Sequence, residues 1–168
     1  MRYAIFGILL IAAVLGITIF SQQKPSKDIA LAKAPAFALQ NYTGATVALA
    51  DFAGKNIIVN TWAVWCPFCV EELKDFAKLQ EELGDSVKII AIDRAESLEV
   101  QKGYTDDLGI SDKLIFLLDP DDFFYRAIGG FSMPETIFVN SEGGIMFHKR
   151  GPIKLEEMRE KSKGLFNL

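Results

Sequence analysis

Two cysteines, Cys66 and Cys69, are the residues of this sequence whose type and spacing best suit chemistry. They are the only cysteines in the chain. They open a predicted helix, where a dithiol with this spacing closes a disulfide with little backbone movement. The thiolate is the nucleophile in such chemistry, and the free N–H groups of a helix N-terminus stabilise it. The pair therefore predicts thiol–disulfide exchange, with Cys66 as the exposed attacking thiol and Cys69 as the buried resolving thiol.

Other uses of a cysteine pair agree less well with the sequence. A zinc site of four ligands needs two more, and the chain has a single histidine, His148. Haem attachment needs a histidine directly after the pair, where Val70 stands. A structural disulfide between such near neighbours closes a very small loop and adds little stability. We expect His148 to be an ordinary surface or edge residue.

A carboxyl group follows the cysteine pair on the same helix. The helix is predicted over 67–83, with Pro67 at its first position, where an N–H is not needed, and Gly84 as its stop. Its apolar face consists of residues three or four positions apart: Cys69, Leu73, Phe76, Gln80 and Leu83. Glu72 lies on this apolar side. A buried carboxyl has a raised pKa and exchanges protons with a thiol near neutral pH. The alternative is that Glu72 reaches solvent at the edge of the face.

The remaining sequence supplies the elements that must position these residues. Apolar runs predict buried strands at 56–62, 87–92 and 114–118, and helical patterns cover 97–108 and 154–163. Turn residues predict one hairpin within 37–49 and a second within 136–147. The acidic cluster at 119–122 is expected to begin a further helix, with the aromatic residues 123–125 packing beyond it. Strands that alternate with helices predict an α/β fold whose central sheet is covered on both faces.

The N-terminal segment differs from the rest of the chain. Residues 3–20 carry no charge, and 18 helical residues span about 27 Å, close to the thickness of a bilayer core. We expect a membrane anchor, or alternatively a cleaved signal, at 1–21, then a tether at 22–34 and one domain at 35–168. Both alternatives place the domain outside the cytoplasm.

The charge of the domain excludes one class of partner. From residue 34 onward there are 14 Lys and Arg against 21 Asp and Glu, a net charge of −7. Nucleic-acid-binding proteins carry a basic patch that contacts phosphates. This acidic sequence has no basic stripe, so we expect no nucleic-acid partner.

Three segments resemble a known family. They are the region 35–55, with PAFAL at 35–39, Gly44, VAL at 47–49 and FAGK at 52–55, then VNTWAVWCPFC at 59–69, and MPET at 133–136. Together they resemble thioredoxin-fold proteins, specifically the membrane-anchored TlpA/ResA/CcmG (DsbE) branch. The resemblance implies a thioredoxin fold, which is a central mixed sheet flanked by helices, with an added N-terminal β-hairpin and one preceding transmembrane helix.

The resemblance also implies roles for residues around the cysteines. Supporting or substrate-binding positions correspond to Asn60, Trp65, Pro67, Phe68, Met133 and Pro134, and Glu72 corresponds to the glutamate of the active site. Asn60 stands where thioredoxin has a buried aspartate. Met133 is expected to present its backbone to a bound cysteine peptide, next to a cis Pro134. One departure is Ser132, where the family usually has glycine.

The resemblance implies an extracytoplasmic thiol–disulfide oxidoreductase without a cofactor or metal. We expect it to reduce disulfides of exported proteins or of apocytochrome c, with a membrane electron donor to recharge it. Pro67 directly after the first cysteine is typical of oxidising members, so an oxidant of exported proteins, coupled to a membrane acceptor, is the alternative.

Hypotheses of other classes agree less well with the sequence. A copper chaperone of the same fold uses a C-x-x-x-C spacing with a distant histidine, for which His148 is the candidate. Peroxidases of related fold use a lone cysteine in a different setting. An isomerase is expected to carry a separate dimerisation domain.

Overall fold

The computed structural model describes residues 31–168. The predicted anchor or signal at 1–21 and most of the predicted tether lie outside the described residues. Between Leu31 and Leu168, no helix is both long enough and apolar enough to cross a membrane.

Within this part of the chain, seven strands form one mixed sheet in the order β2-β1-β5-β4-β3-β6-β7. The strands are β1 (Ala38–Asn41), β2 (Thr46–Ala48), β3 (Asn56–Trp62), β4 (Val87–Arg94), β5 (Ile115–Asp119), β6 (Glu135–Val139) and β7 (Ile145–Arg150). Strands β3, β4 and β5 are parallel neighbours, and β6 and β7 continue the sheet in antiparallel orientation. The expected α/β sheet is therefore confirmed.

The same residues contain four α-helices and one short 3-10 helix. The helices are α1 (Pro67–Leu83), α2 (Leu98–Asp107), α3 (Phe123–Ala127) and α4 (Leu155–Phe166), and the 3-10 helix spans Leu49–Phe52. Helix α3 begins after the acidic cluster, as expected, because the Asp119 carboxylate accepts the N–H of Phe124 at 2.7 Å. Such side-chain acceptors satisfy N–H groups that have no partner inside the helix.

The first hairpin is set by its turn. The side-chain oxygen of Asn41 accepts the N–H groups of Thr43 and Ala45 at 2.9 and 3.0 Å. Gly44 adopts a φ of 80°, a conformation that glycine reaches without steric cost. Strand β1 pairs with β5, so the predicted N-terminal hairpin extends the sheet on the side away from β7.

Both faces of the sheet are covered. Because successive side chains of a strand point to opposite faces, Ile58 and Trp62 of β3 pack with α1 and α4, whereas Ile57 and Val59 pack against Phe124 of α3. The predicted elements are confirmed, with small differences at their ends. Strand β4 continues through Arg94 and α4 through Phe166, whose ring is buried.

Candidate active site

The cysteine pair lies where the central strand β3 passes into α1. Cys66 is the N-cap of the helix, and its sulfur accepts the N–H of Cys69 at 3.2 Å. Pro67 occupies the first turn, as predicted, and removes one N–H from the helix end. The helix N-terminus therefore donates a hydrogen bond to the Cys66 sulfur, as expected, but only one N–H group does so among the described residues.

Cys66 and Cys69 form a disulfide with an S–S distance of 2.09 Å. Cys69 is buried, as expected. Cys66 is only 3% exposed, so the expectation that it is open to solvent is wrong for the disulfide form. Its sulfur belongs to the same apolar cluster as Trp62 and Leu73.

Exposed aromatic side chains flank the cysteine pair and the cis-proline loop in the sequence. Trp65 and Phe68, on either side of Cys66 in sequence, are exposed. Phe131 precedes the loop of Met133 and Pro134 and is 85% exposed. The Met133–Pro134 bond is cis, as the resemblance implied, and Met133 packs against the cluster that contains both cysteines.

Glu72 does not reach solvent at the edge of its helix face. Its carboxylate is buried and accepts the N–H of Ile153 at 2.8 Å and an N–H of Asn60 at 3.0 Å. Burial raises the pKa of Glu72 to about 8, against the lowering effect of these two hydrogen bonds. A carboxyl with this pKa exists in both protonation states near neutral pH.

Asn60 connects this carboxyl to the neighbouring strand. Its Nδ2 donates to Glu72 and also to the Thr136 hydroxyl, each at 3.0 Å. Asn60 of β3 lies directly opposite Thr136 of β6, two residues after the cis proline. The predicted site residues Asn60 and Glu72 therefore form one hydrogen-bond network with β6. The contact of Glu72 with the backbone N–H of Ile153 could not be predicted, because Ile153 lies far along the chain and a backbone donor has no sequence pattern.

A second buried carboxyl, Asp93, was not found from the sequence. Asp93, at the end of β4, is buried, and its Oδ1 accepts the N–H of Glu96 at 2.9 Å. Glu96 accepts the N–H of Val64 at 2.8 Å, two residues before Cys66. Burial and the neighbouring Glu96 raise the pKa of Asp93. Because side chains alternate between the two faces of a strand, Asp93 shares a face of β4 with the apolar Ile89 and Ala91. This alternation is the sequence pattern from which its burial could have been predicted.

Arg94 is a further residue beside the site. Its guanidinium makes two hydrogen bonds to Asp122, at 2.8 and 2.6 Å. It also stacks on the Tyr125 ring at 3.4 Å and lies 6.0 Å from the centre of the Trp65 ring. Its long-range partners explain why no local pattern identified it.

His148 lies on the edge strand β7, as one half of the expectation had it, but it is not an ordinary surface residue. Its side chain is 21% exposed, and its Nε2 lies 2.6 Å from Oε2 of the buried Glu135. The copper hypothesis needs this histidine as a ligand. Across residues 31–168, no group of three or more His, Cys, Asp and Glu side chains is arranged to hold a metal ion.

Comparison with known proteins places this arrangement in a family. The family model described as Redoxin matches residues 30–163. The chain belongs to this family, in its TlpA/ResA/CcmG branch. The branch assignment rests on relatives named ResA and DsbE.

Curated relatives agree with the family. The thiol-disulfide oxidoreductase ResA of Halalkalibacterium halodurans is 31% identical over 150 residues, which cover 87% of this chain and 82% of the relative. The thioredoxin-like protein YneN of Bacillus subtilis is 29% identical, covering 77% of this chain and 76% of the relative. The thiol:disulfide interchange protein DsbE of Allochromatium vinosum is 35% identical, covering 64% and 58%.

Solved structures show the same fold. A thiol:disulfide interchange protein of the thioredoxin family from Chlorobium tepidum superposes with a TM-score of 0.73 at 24% identity, covering 83% of this chain and 99% of that one. A putative DsbE from Chlorobium tepidum gives a TM-score of 0.72 at 20% identity, covering 80% and 94%. The predicted thioredoxin-like α/β fold is confirmed.

Family and geometry together define the activity class. The redoxin chain carries a C-x-x-C pair joined as a disulfide at a helix N-terminus, and its relatives are named thiol–disulfide oxidoreductases. It is a thiol–disulfide oxidoreductase of the ResA/DsbE type.

Proposed function

We propose that this enzyme reduces disulfides of exported proteins, apocytochrome c among them, from the extracytoplasmic side of a membrane. The observation that carries the proposal is a buried carboxyl, Glu72, one helical turn beyond a buried Cys66–Cys69 disulfide. Burial affects both the proton transfers and the direction of electron flow.

The proposed reaction starts from the dithiol. The Cys66 thiolate attacks a substrate disulfide, forms a mixed disulfide and displaces one substrate sulfur, which takes up a proton. Cys69 then loses its proton and attacks Cys66, which breaks the mixed disulfide and releases the second substrate thiol. The substrate gains two electrons and two protons, and the enzyme is left as the disulfide. A membrane electron donor must return the two electrons.

Glu72 is the group that we assign to the proton of Cys69. Residues three apart on a helix are neighbours, so the carboxyl lies on the same face as the resolving thiol. The pKa of Glu72, raised to about 8, makes it a base strong enough to accept a thiol proton and an acid able to return it.

The surroundings of the sulfurs favour a reductant. A thiolate in apolar surroundings is destabilised relative to the disulfide, which makes the dithiol a better electron donor. Cys66 is buried among apolar side chains, and Pro67 has removed one of the N–H groups that face a helix end. Strong oxidants instead owe their potential to a stabilised reduced form.

The substrate surface that we propose consists of the exposed Trp65 and Phe68 and the loop at Met133 and Pro134. An extended cysteine peptide then pairs with the backbone of Met133, in the manner of an added strand. The location rests on the uncharged run at 3–20 in the sequence. Membrane fractionation and protease accessibility of intact spheroplasts test it.

The decisive measurement is the reduction potential of the Cys66–Cys69 pair, by equilibration with glutathione or a reference thioredoxin. We expect a value nearer the roughly −270 mV of thioredoxin than the roughly −120 mV of a strong oxidant. A value at the oxidising end would overturn the proposed direction and support an oxidant of exported proteins. Cys66→Ala must abolish exchange with a disulfide peptide in either case.

The role of Glu72 has its own test with a matched control. Glu72→Gln is expected to slow resolution of the mixed disulfide and to change its pH dependence near pH 8, where only the thiols would then titrate. Glu71→Gln changes the exposed neighbour on the same helix by the same chemistry and should leave the rate unchanged. Equal rates in the two variants would show that Glu72 does not handle the proton.

A further inference from the structure

The buried carboxylate of Glu135 binds the backbone of the cis-proline loop. Glu135 directly follows Pro134 and has no solvent exposure. Its Oε1 accepts the backbone N–H groups of Phe131 and Ser132 at 2.5 and 2.7 Å. One carboxylate oxygen therefore accepts hydrogen bonds from two consecutive backbone amides of the loop that leads to Met133.

The second oxygen of Glu135 is held by the last strand. Its Oε2 lies 2.6 Å from Nε2 of His148 and 4.0 Å from Nε of Arg150. In the β6–β7 register Glu135 lies opposite Arg150, and His148 lies opposite Ile137. Glu135 and His148 therefore share one face of the sheet, the face of Ile137 and α3, which is opposite to the disulfide.

The electrostatics agree with an ionised Glu135. Burial alone raises its pKa, but the N–H groups of Phe131 and Ser132 and the contact with His148 outweigh burial and lower it. Arg150, Arg94 and Tyr125 are further ionisable groups that act on this carboxylate. A buried carboxylate is stable only while its hydrogen-bond partners remain in place.

We infer that Glu135 and His148 are positioning residues that fix the substrate-binding loop of Met133 and Pro134. His148 orients the carboxylate, and the carboxylate orients the Phe131 and Ser132 amides. The backbone of Met133, the next residue, then has one conformation ready for a cysteine peptide. The inference rests on the proposed role of this loop in substrate binding.

The test uses His148→Leu and the conservative variant His148→Gln. Leucine removes the partner of Oε2, whereas the Gln amide can donate at the position of Nε2. For a disulfide peptide as the probe, we expect His148→Leu to raise KM about tenfold with kcat retained, because the free loop then holds its binding conformation only about a tenth of the time. His148→Gln should restore most of the affinity.

Two further readouts separate positioning from a general loss of structure. The NMR amide proton signals of Phe131 and Ser132 should move in His148→Leu and return in His148→Gln, because both amides bind the carboxylate. The reduction potential of the cysteine pair should stay unchanged in both variants. Either unchanged amide signals or an unchanged KM in His148→Leu would overturn the inference.

The same experiment separates this inference from the proposed function. A wild-type protein that does not exchange with the peptide refutes the proposed function, and the amide signals still decide whether His148 positions the loop. If the wild type exchanges and the amides move, but KM stays the same, the loop does not bind substrate and the inference fails.

Discussion

The raised pKa of Glu72 predicts a large effect of pH on the stability of the oxidised protein. The pKa is about 8 in the fold against 4.5 as the ordinary value. Between these values the folded state binds a proton that the unfolded state has released. The free energy of unfolding therefore falls as the pH rises from 4.5 towards 8. Below pH 4.5 both states are protonated, and this stability is fully present.

The size of the effect follows from the two pKa values. Between pH 5 and pH 8, a shift from 4.5 to about 8 lowers the free energy of unfolding by about 3–4 kcal/mol. This is a large part of the roughly 5–15 kcal/mol of a typical domain. Glu72→Gln removes the titrating group and keeps a side-chain oxygen for the N–H of Ile153. Relative to the wild type, the variant should therefore become more stable by about 3–4 kcal/mol as the pH rises from 5 to 8.

Denaturant unfolding of the oxidised protein at pH 5, 6.5 and 8 measures this difference. All other titrating groups cancel when the variant is compared with the wild type, and Glu71→Gln controls for the loss of a carboxylate on α1. Parallel pH dependence of wild type and Glu72→Gln would refute the reasoning, because it would mean that Glu72 is ionised in the fold across this range.

Three further predictions concern residues near the site. Asp93→Asn should become more stable relative to the wild type as the pH rises from 5 to 8, because the raised pKa of Asp93, like that of Glu72, lowers the stability of the wild type over this range. Denaturant unfolding at several pH values measures the difference. Gly130→Ala places a Cβ 2.5 Å from the Tyr125 ring and should cost about 1–3 kcal/mol in unfolding free energy, but much less in a Tyr125→Ala background. Leu73→Ala, in the core beneath the disulfide, should cost about 2–5 kcal/mol in thermal or denaturant unfolding, and a loss under 1 kcal/mol would contradict its burial.

Local patterns in the sequence were enough to predict the elements and the central chemistry. The helix period placed Glu72 on the apolar face of Cys69 and Leu73, and the structure has all three buried. The turn residues at Asn41 and Gly44 predicted a hairpin that forms through the Asn41 side chain. In each case the cause lies within a few residues of its effect.

Long-range contacts account for what could not be predicted. The exposure of Cys66 depends on the elements packed around it, which neither the C-x-x-C spacing nor the helix pattern describes. The N–H of Ile153 reaches Glu72 across 81 positions of the chain. His148, in a charged segment of β7, has the sequence context of a surface residue, and only the β6–β7 register brings it to Glu135.

The start of β6 connects two carboxyl groups on opposite faces of the sheet. Successive residues of a strand point to opposite faces, so Glu135 faces His148 while Thr136 faces Asn60 and, through it, Glu72. The cis-proline loop enters the sheet between these two contacts. On one face of the sheet, the strand after this loop is connected through Asn60 to Glu72, which we assign to proton transfer. On the other face, the loop is held by Glu135, which we assign to positioning the substrate-binding loop. The two carboxyl groups thus belong to networks that meet at adjacent residues of β6, which is why the reduction potential and KM must be measured on the same variants.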